Sequence, residues 1–150
     1  MYYHFNFTFF ISKGDFNLMD KNSVAGIVYK NGKVLIAHRL PVGQMGNRWE
    51  FPGGKVENSE DFTITLKREF LEEFGVEVKI GKHITESFFY HNDKKIGLHA
   101  FEVFIKDNSN DFILTEHSEI KWVTFDEIPK LCFVDSDMKI YDSVKKYFEG

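Results

Sequence analysis

A chain of 150 residues, 43% hydrophobic and 28% charged, has the makeup of one globular domain, and its seventeen phenylalanines can supply a sizeable aromatic core. Its net charge of −4 excludes the basic footprint that a nucleic acid polymer requires, but not a small phosphorylated ligand whose charge a metal offsets locally. The single cysteine, Cys132, excludes an intrachain disulfide and a cysteine-based zinc site, and no apolar run reaches the ~18 residues of a bilayer span.

Residues 1–20 form the first unit, an N-terminal extension ahead of a domain over residues 21–150. Tyr2 to Ile11 are rich in β-formers, and Gly14-Asp15 is a turn signal. The segment reads as an extra edge strand or a surface-packed piece; alternatively, Met19 is the natural start. It lacks a basic n-region and a small-residue cleavage site, so no signal peptide is expected, and a cytoplasmic protein is.

From Ser23 the pattern is regular. Val24 to Tyr29 and Val34 to Arg39 read as strands joined by Asn31-Gly32, a type I′ hairpin signal. Pro41 to Asn47 is a loop, and Trp49-Glu50-Phe51 is a short strand entering Pro52-Gly53-Gly54. Asp61 to Phe74 contains no Gly or Pro and reads as a helix, capped by Ser59 or Asp61 and stopped by Gly75. At 100° per residue, Phe62, Leu66 and Phe70 share an apolar face. Ile64 and Leu71 fall opposite, so the helix is expected to be covered on more than one side. Val76 to Ile80 alternates as a strand. His83 to Tyr90 and Lys95 to Ile105 form a long hairpin around His91 to Lys94. Asp107 to Asp111 is a polar loop and Ile120 to Phe125 a strand. Phe125 to Pro129 is a helical turn before a buried, inert Cys132, and Asp137 to Phe148 is an amphipathic helix. Mixed strands with two helices imply a layered α/β or α+β domain around a mixed sheet.

The chemistry concentrates between Gly54 and Val76. Glu69, Glu72 and Glu73 stand at i, i+3 and i+4, within one helical turn. Like charges so close repel. Glu69 and Glu73 border the apolar face, where unpaired carboxylates are costly, whereas Glu72 lies further round near Arg68. A hard divalent cation such as Mg²⁺ offsets such a cluster, because it prefers carboxylate, water and phosphate oxygens. The paired glycines Gly53-Gly54 allow close backbone approach or positive φ before the helix. Metal-assisted hydrolysis of a phosphate ester or anhydride follows. Taken alone, such a segment reads as a solvated helix face neutralised by Lys67 and Arg68.

The whole stretch is more specific. Gly54, Glu60, Arg68, Glu69, Phe70, Glu72, Glu73, Gly75 and Val76 match every fixed position of G-x5-E-x7-R-E-U-x-E-E-x-G-U, with U a bulky apolar residue. This is the Nudix box, and from about Val24 to Phe148 the chain resembles the MutT-like branch of the Nudix hydrolases. The resemblance implies an α/β/α sandwich. It also implies Mg²⁺, with Mn²⁺ as a substitute, held by Glu69, Glu72, Glu73 and the Gly53 carbonyl. Arg68 and Glu60 would orient the carboxylates, alongside the structural glycines Gly54 and Gly75. Glu116 matches a further acidic position, as ligand or general base; otherwise it is a loop carboxylate. Glu73 is the first candidate for an essential ligand or base. Arg39 matches a nucleotide-contacting arginine, or else is a strand-end charge. Phe51 is expected to line the substrate site. Asp137 matches a base-reading position and also suits the N-cap of the last helix. Phe88, Phe89 and Phe101 could stack on a base, although core packing is the simpler reading.

The activity implied is conversion of nucleoside triphosphates to monophosphate and pyrophosphate, including removal of oxidised nucleotides such as 8-oxo-dGTP in the service of DNA repair. A CTP or dCTP pyrophosphohydrolase is the alternative, because an aspartate at residue 137 leaves both bases open. The ADP-ribose branch usually carries a proline soon after the box, whereas this chain has none until Pro129, and Tyr90 only loosely matches the dinucleoside polyphosphate branch. A non-catalytic nucleotide sensor usually loses box glutamates, and here all are present. The expected partner is a small nucleotide, with neither polymer nor membrane, acting on a monomer or homodimer.

Overall fold

The structure, a computed structural model, describes residues 21–106 and 111–150. The expected extension over residues 1–20 and most of the polar loop at 107–110 lie outside the described residues.

Among the described residues, eight strands and two helices follow in order: β1 (Lys21–Ile27), β2 (Tyr29–Lys30), β3 (Lys33–Arg39), β4 (Trp49–Glu50), β5 (Gly53–Lys55), α1 (Phe62–Phe74), β6 (Val78–His91), β7 (Lys94–Ile105), β8 (His117–Val123) and α2 (Asp135–Glu149), with a 3₁₀ turn at Phe125–Lys130 before α2. One sheet has the order β5-β1-β7-β6, with β1 parallel to β7 and the other pairs antiparallel. In the second, β3 pairs with β8 along one edge and with β2 and β4 along the other. Asn31 and Gly32 both take positive φ (54° and 78°), which gives the type I′ turn its twist.

Strand alternation builds two cores. Val34 and Ile36 join Ala25, Ile27, Leu98 and Phe125 on the side of α2, where Ile140 and Val144 pack. Leu35 and Ala37 join Val24 and Val103 on the side of α1, against Leu66, Phe70 and Phe74. Both faces are covered, so β1 and β3 read as continuous apolar runs. The result is a mixed α+β sandwich of the expected kind. Among the described residues, no helix is long and apolar enough to cross a membrane.

Several expectations change. Ile64 and Leu71 are 54% and 56% exposed, so α1 is buried on one side only. Cys132 is exposed rather than buried, because it lies on the link between the 3₁₀ turn and α2 while its neighbours Phe133 and Val134 turn into the core. The two strands expected over 76–80 and 83–90 are one strand, β6, which stays continuous through register shifts between Ile80 and Thr85. Strand β8 starts at His117 and ends at Val123, and α2 begins at Asp135, so Asp137 lies inside its first turn and Val134 occupies the cap position.

Candidate active site

The box is a strand, a loop and a helix held together by close contacts. Asp61 caps α1 by accepting from the Thr63 N–H at 3.3 Å, which decides between the two cap candidates. Gly75 ends α1 in the left-handed region at φ 69°, its N–H donating to the Leu71 carbonyl. Gly53 and Gly54 do not use positive φ. They are needed for space: a Cβ on Gly53 would strike the Val24 carbonyl of the paired strand, and one on Gly54 would overlap the Glu69 carboxylate.

Arg68 ties the loop to the helix. Its guanidinium donates to Glu60 Oε1 at 2.5 Å, to Glu69 Oε1 at 3.0 Å, to Glu72 Oε1 at 3.3 Å and to the Lys55 carbonyl at 3.2 Å. Glu60 also accepts from the Thr65 hydroxyl at 3.0 Å, and the Arg68 guanidinium is the main cause holding its carboxyl down to about 2. Glu72 is exposed and turned toward Arg68, while Glu69 is buried and Glu73 half-buried on the cleft side.

The cleft holds about 370 Å³, and Gly53, Gly54, Glu69, Glu73 and Glu116 form its acidic wall. Thr115 docks this last carboxylate on the end of α1: its hydroxyl donates to the Glu72 carbonyl at 3.0 Å and its N–H to the Glu73 carbonyl at 3.4 Å. Burial pushes the Glu73 carboxyl well above the usual carboxylate range, and Glu69, Glu50 and Glu116 add to the shift. Burial and like charge both act against the ionised form there.

Another wall of the same cleft comes from β3, β4 and the start of α2, which bring Arg39, Glu50, Ser136 and Asp137. Glu50 accepts from Arg39 at 3.1 Å and from His117 Nε2 at 2.8 Å, and so joins three strands through their side chains. The His117 ring stacks on Phe74 at 5.1 Å, which links this wall to α1. Arg39 Nε and His117 Nδ1 are buried without a hydrogen-bond partner among the described residues. Asp137 is buried, accepts from the Phe51 N–H at 2.9 Å, and is pushed up to about 8 by burial, with the Glu50 charge second. The Phe51 ring itself packs on Phe133 in the core at 5.1 Å. Phe89 and Leu98 supply apolar surface to the cleft. Phe101 packs in the α1-side core, and Phe88 lies under Lys95 at 4.3 Å.

The expected residues Arg39, Phe51, Gly53, Gly54, Glu69, Glu73, Glu116 and Asp137 therefore line one cleft. Sequence reasoning missed Glu50 and His117. The signal was present only as a polar residue at each strand position next to an expected site residue, beside Phe51 and Glu116.

Comparison with known proteins identifies the family and the fold. The NUDIX domain profile matches residues 19–144. The CTP pyrophosphohydrolase of Escherichia coli (strain K12) is 30% identical over 120 residues, covering 80% of this chain and 87% of that protein. The 8-oxo-dGTP diphosphatase of Buchnera aphidicola subsp. Schizaphis graminum is 31% identical over 126 residues, covering 83% and 93%. Among solved structures, the E. coli ORF135 protein superposes with a TM-score of 0.76 at 26% identity, covering 89% of this chain and 94% of that one. The MutT protein of Methanosarcina mazei Go1 does so at 0.75 and 22% identity, covering 87% and 96%, a likeness of fold. With its box intact, its acidic cleft wall formed and the profile spanning most of its length, the chain belongs to the NUDIX family of phosphoanhydride hydrolases.

Proposed function

We propose that residues 21–150 form a Mg²⁺-dependent nucleoside triphosphate pyrophosphohydrolase, releasing a monophosphate and pyrophosphate. The observation that carries this reading is the convergence of Glu69, Glu73 and Glu116 beside Gly53 and Gly54, in one cleft with the buried Asp137. The donor set is all oxygen and acidic, which suits Mg²⁺, with Mn²⁺ as a substitute. Burial and the neighbouring carboxylates disfavour ionised Glu73, and such an ion would offset that cost. A Mg²⁺ held there would supply polarisation of a phosphoryl oxygen and a lowered pKa of bound water.

The protein's own groups do the rest. Glu69, Glu73 and the Gly53 carbonyl would hold the ion, and Glu72 would add negative charge nearby. Arg68 orients Glu69 and Glu72 through its fork, with Glu60 anchoring it from behind. Glu116, on the exposed side of the wall, completes the ligand set or takes the proton of the attacking water. Arg39, braced by Glu50, binds the polyphosphate or sugar. Asp137, neutral below its raised pKa, can both donate to and accept from a base edge.

A modified purine nucleotide such as 8-oxo-dGTP is the first substrate to test, consistent with the Buchnera relative's name, and CTP or dCTP is the second, consistent with the E. coli relative's name. A nucleotide panel with pyrophosphate detection tests both. Glu73→Gln should keep the fold and lower Mg²⁺-dependent turnover by at least about two orders of magnitude. Turnover that persists in excess EDTA, or release of orthophosphate alone, contradicts the proposal.

A further inference from the structure

A second cluster of metal-ligating side chains lies on the α1 face of the first sheet, and none of its residues lines the cleft. His83, Glu86 and His99 each bring one potential ligand atom within 4.8 Å of the others. His83 Nε2 stands 3.1 Å from Glu86 Oε1. Two ligands bound about 2.0–2.1 Å from one tetrahedral ion sit roughly 3.4 Å apart, so this pair already has the span of a coordination edge.

The backbone departs from regularity to make the cluster. In an unbroken strand, residues three apart point to opposite faces. In β6, however, His83 pairs with Phe101, Thr85 pairs with Ala100 and Glu86 pairs with His99. The register shift between His83 and Thr85 absorbs one extra residue, Ile84. That bulge turns His83 onto the same face as Glu86, and Glu86 stands directly opposite His99. Re-aiming a side chain is a recognised use of a bulge.

The third side chain is held in place. His99 is buried, and its ring lies 4.4 Å from that of Phe62. Its Nε2–H donates to Asn22 Oδ1 at 3.0 Å, since an amide oxygen only accepts. That bond selects the tautomer whose lone pair is on Nδ1. An outer hydrogen bond that fixes a histidine tautomer is a usual accompaniment of metal ligation. His83 and Glu86 are exposed, and among the described residues β6 is the last strand of its sheet, so these two ligands have room to close on an ion.

We propose that His83, Glu86 and His99 form a binding site for a transition-metal ion of the Zn²⁺ class, with three protein ligands and one open position. Two imidazoles and one carboxylate suit Zn²⁺ rather than the hard Mg²⁺ expected at the box. The site is independent of the proposed catalytic reading.

The test uses the full chain and Zn²⁺ alone, with affinity read by competition against a chromogenic chelator. Wild type, His83→Ala, Glu86→Ala and Glu73→Gln are compared, the last to separate Zn²⁺ held by the box. The expected result is one Zn²⁺ whose affinity falls at least about tenfold in both His83→Ala and Glu86→Ala and survives in Glu73→Gln. Zn²⁺ should also shift the ring-proton resonances of His83 and His99 and leave those of His117 in place. Both exposed positions tolerate alanine, and unchanged far-ultraviolet dichroism in the two variants verifies the fold. Equal Zn²⁺ affinity in His83→Ala and wild type, or loss of the ion only in Glu73→Gln, overturns the proposal.

Discussion

Phe51 donates its backbone N–H to the buried carboxyl of Asp137 at 2.9 Å, across a sequence separation of 86 residues. This bond pins the start of α2 to the strand that enters the box. Asp137→Ala leaves that N–H unpaired in the interior. We expect a loss of about 1–3 kcal/mol in urea denaturation, together with a changed substrate ranking in the nucleotide panel. An unchanged ranking would refute base reading by Asp137.

The same carboxyl has a pH signature. Its folded-state pKa, about 8, lies above its usual 3.8, because burial disfavours the charged form. The folded chain therefore holds a proton that the unfolded chain releases between those values. The stabilisation is complete below the unfolded pKa and is lost as pH rises through the folded one, at up to about 1.4 kcal/mol per pH unit. Asp137→Asn cannot ionise and should lose less stability than wild type between pH 6 and pH 8.

Glu73 predicts a proton count. Its raised carboxyl is protonated at neutral pH in the metal-free protein, and a ligating carboxylate must be ionised. Titration calorimetry of Mg²⁺ binding in two buffers of different ionisation enthalpy should report release of close to one proton. Glu73→Gln should release none.

Arg68 serves three carboxylates at once, Glu60, Glu69 and Glu72, at 2.5, 3.0 and 3.3 Å. Lysine keeps the charge but not the fork. Arg68→Lys should weaken apparent Mg²⁺ affinity or turnover by about 10–100-fold while leaving the circular dichroism spectrum intact. Retention of full activity would show that charge alone suffices there.

The two adjacent glycines should fail differently. A Cβ on Gly53 meets the backbone of β1, which cannot move without breaking the β1–β5 pairing, so Gly53→Ala should cost at least about 2 kcal/mol of stability. A Cβ on Gly54 meets the end of the Glu69 side chain, so Gly54→Ala should remain folded and lose Mg²⁺ affinity. Thermal melting and metal titration on the two variants separate these outcomes.

The amino-acid sequence by itself determined what acts over a few residues. The Asn31-Gly32 turn, the Asp61 cap, the Gly75 stop and the spacing of Glu69 and Glu73 on one side of α1 all depend on backbone propensities and a 3.6-residue repeat. Those rules also carried the layered fold, because strand and helix signals alternate along the chain in the order of a mixed α and β domain. Only the tertiary structure decided what depends on pairing between distant strands. It joined Glu50 to Arg39 and His117, buried Asp137 under Phe51 rather than leaving it as a cap, exposed Cys132, Ile64 and Leu71, and turned His83 toward Glu86 through a bulge. The physical reason is common to all of these. A residue's period along the chain says which way it points within its own element, whereas burial and partners are set by strand register and by what the neighbouring layer covers.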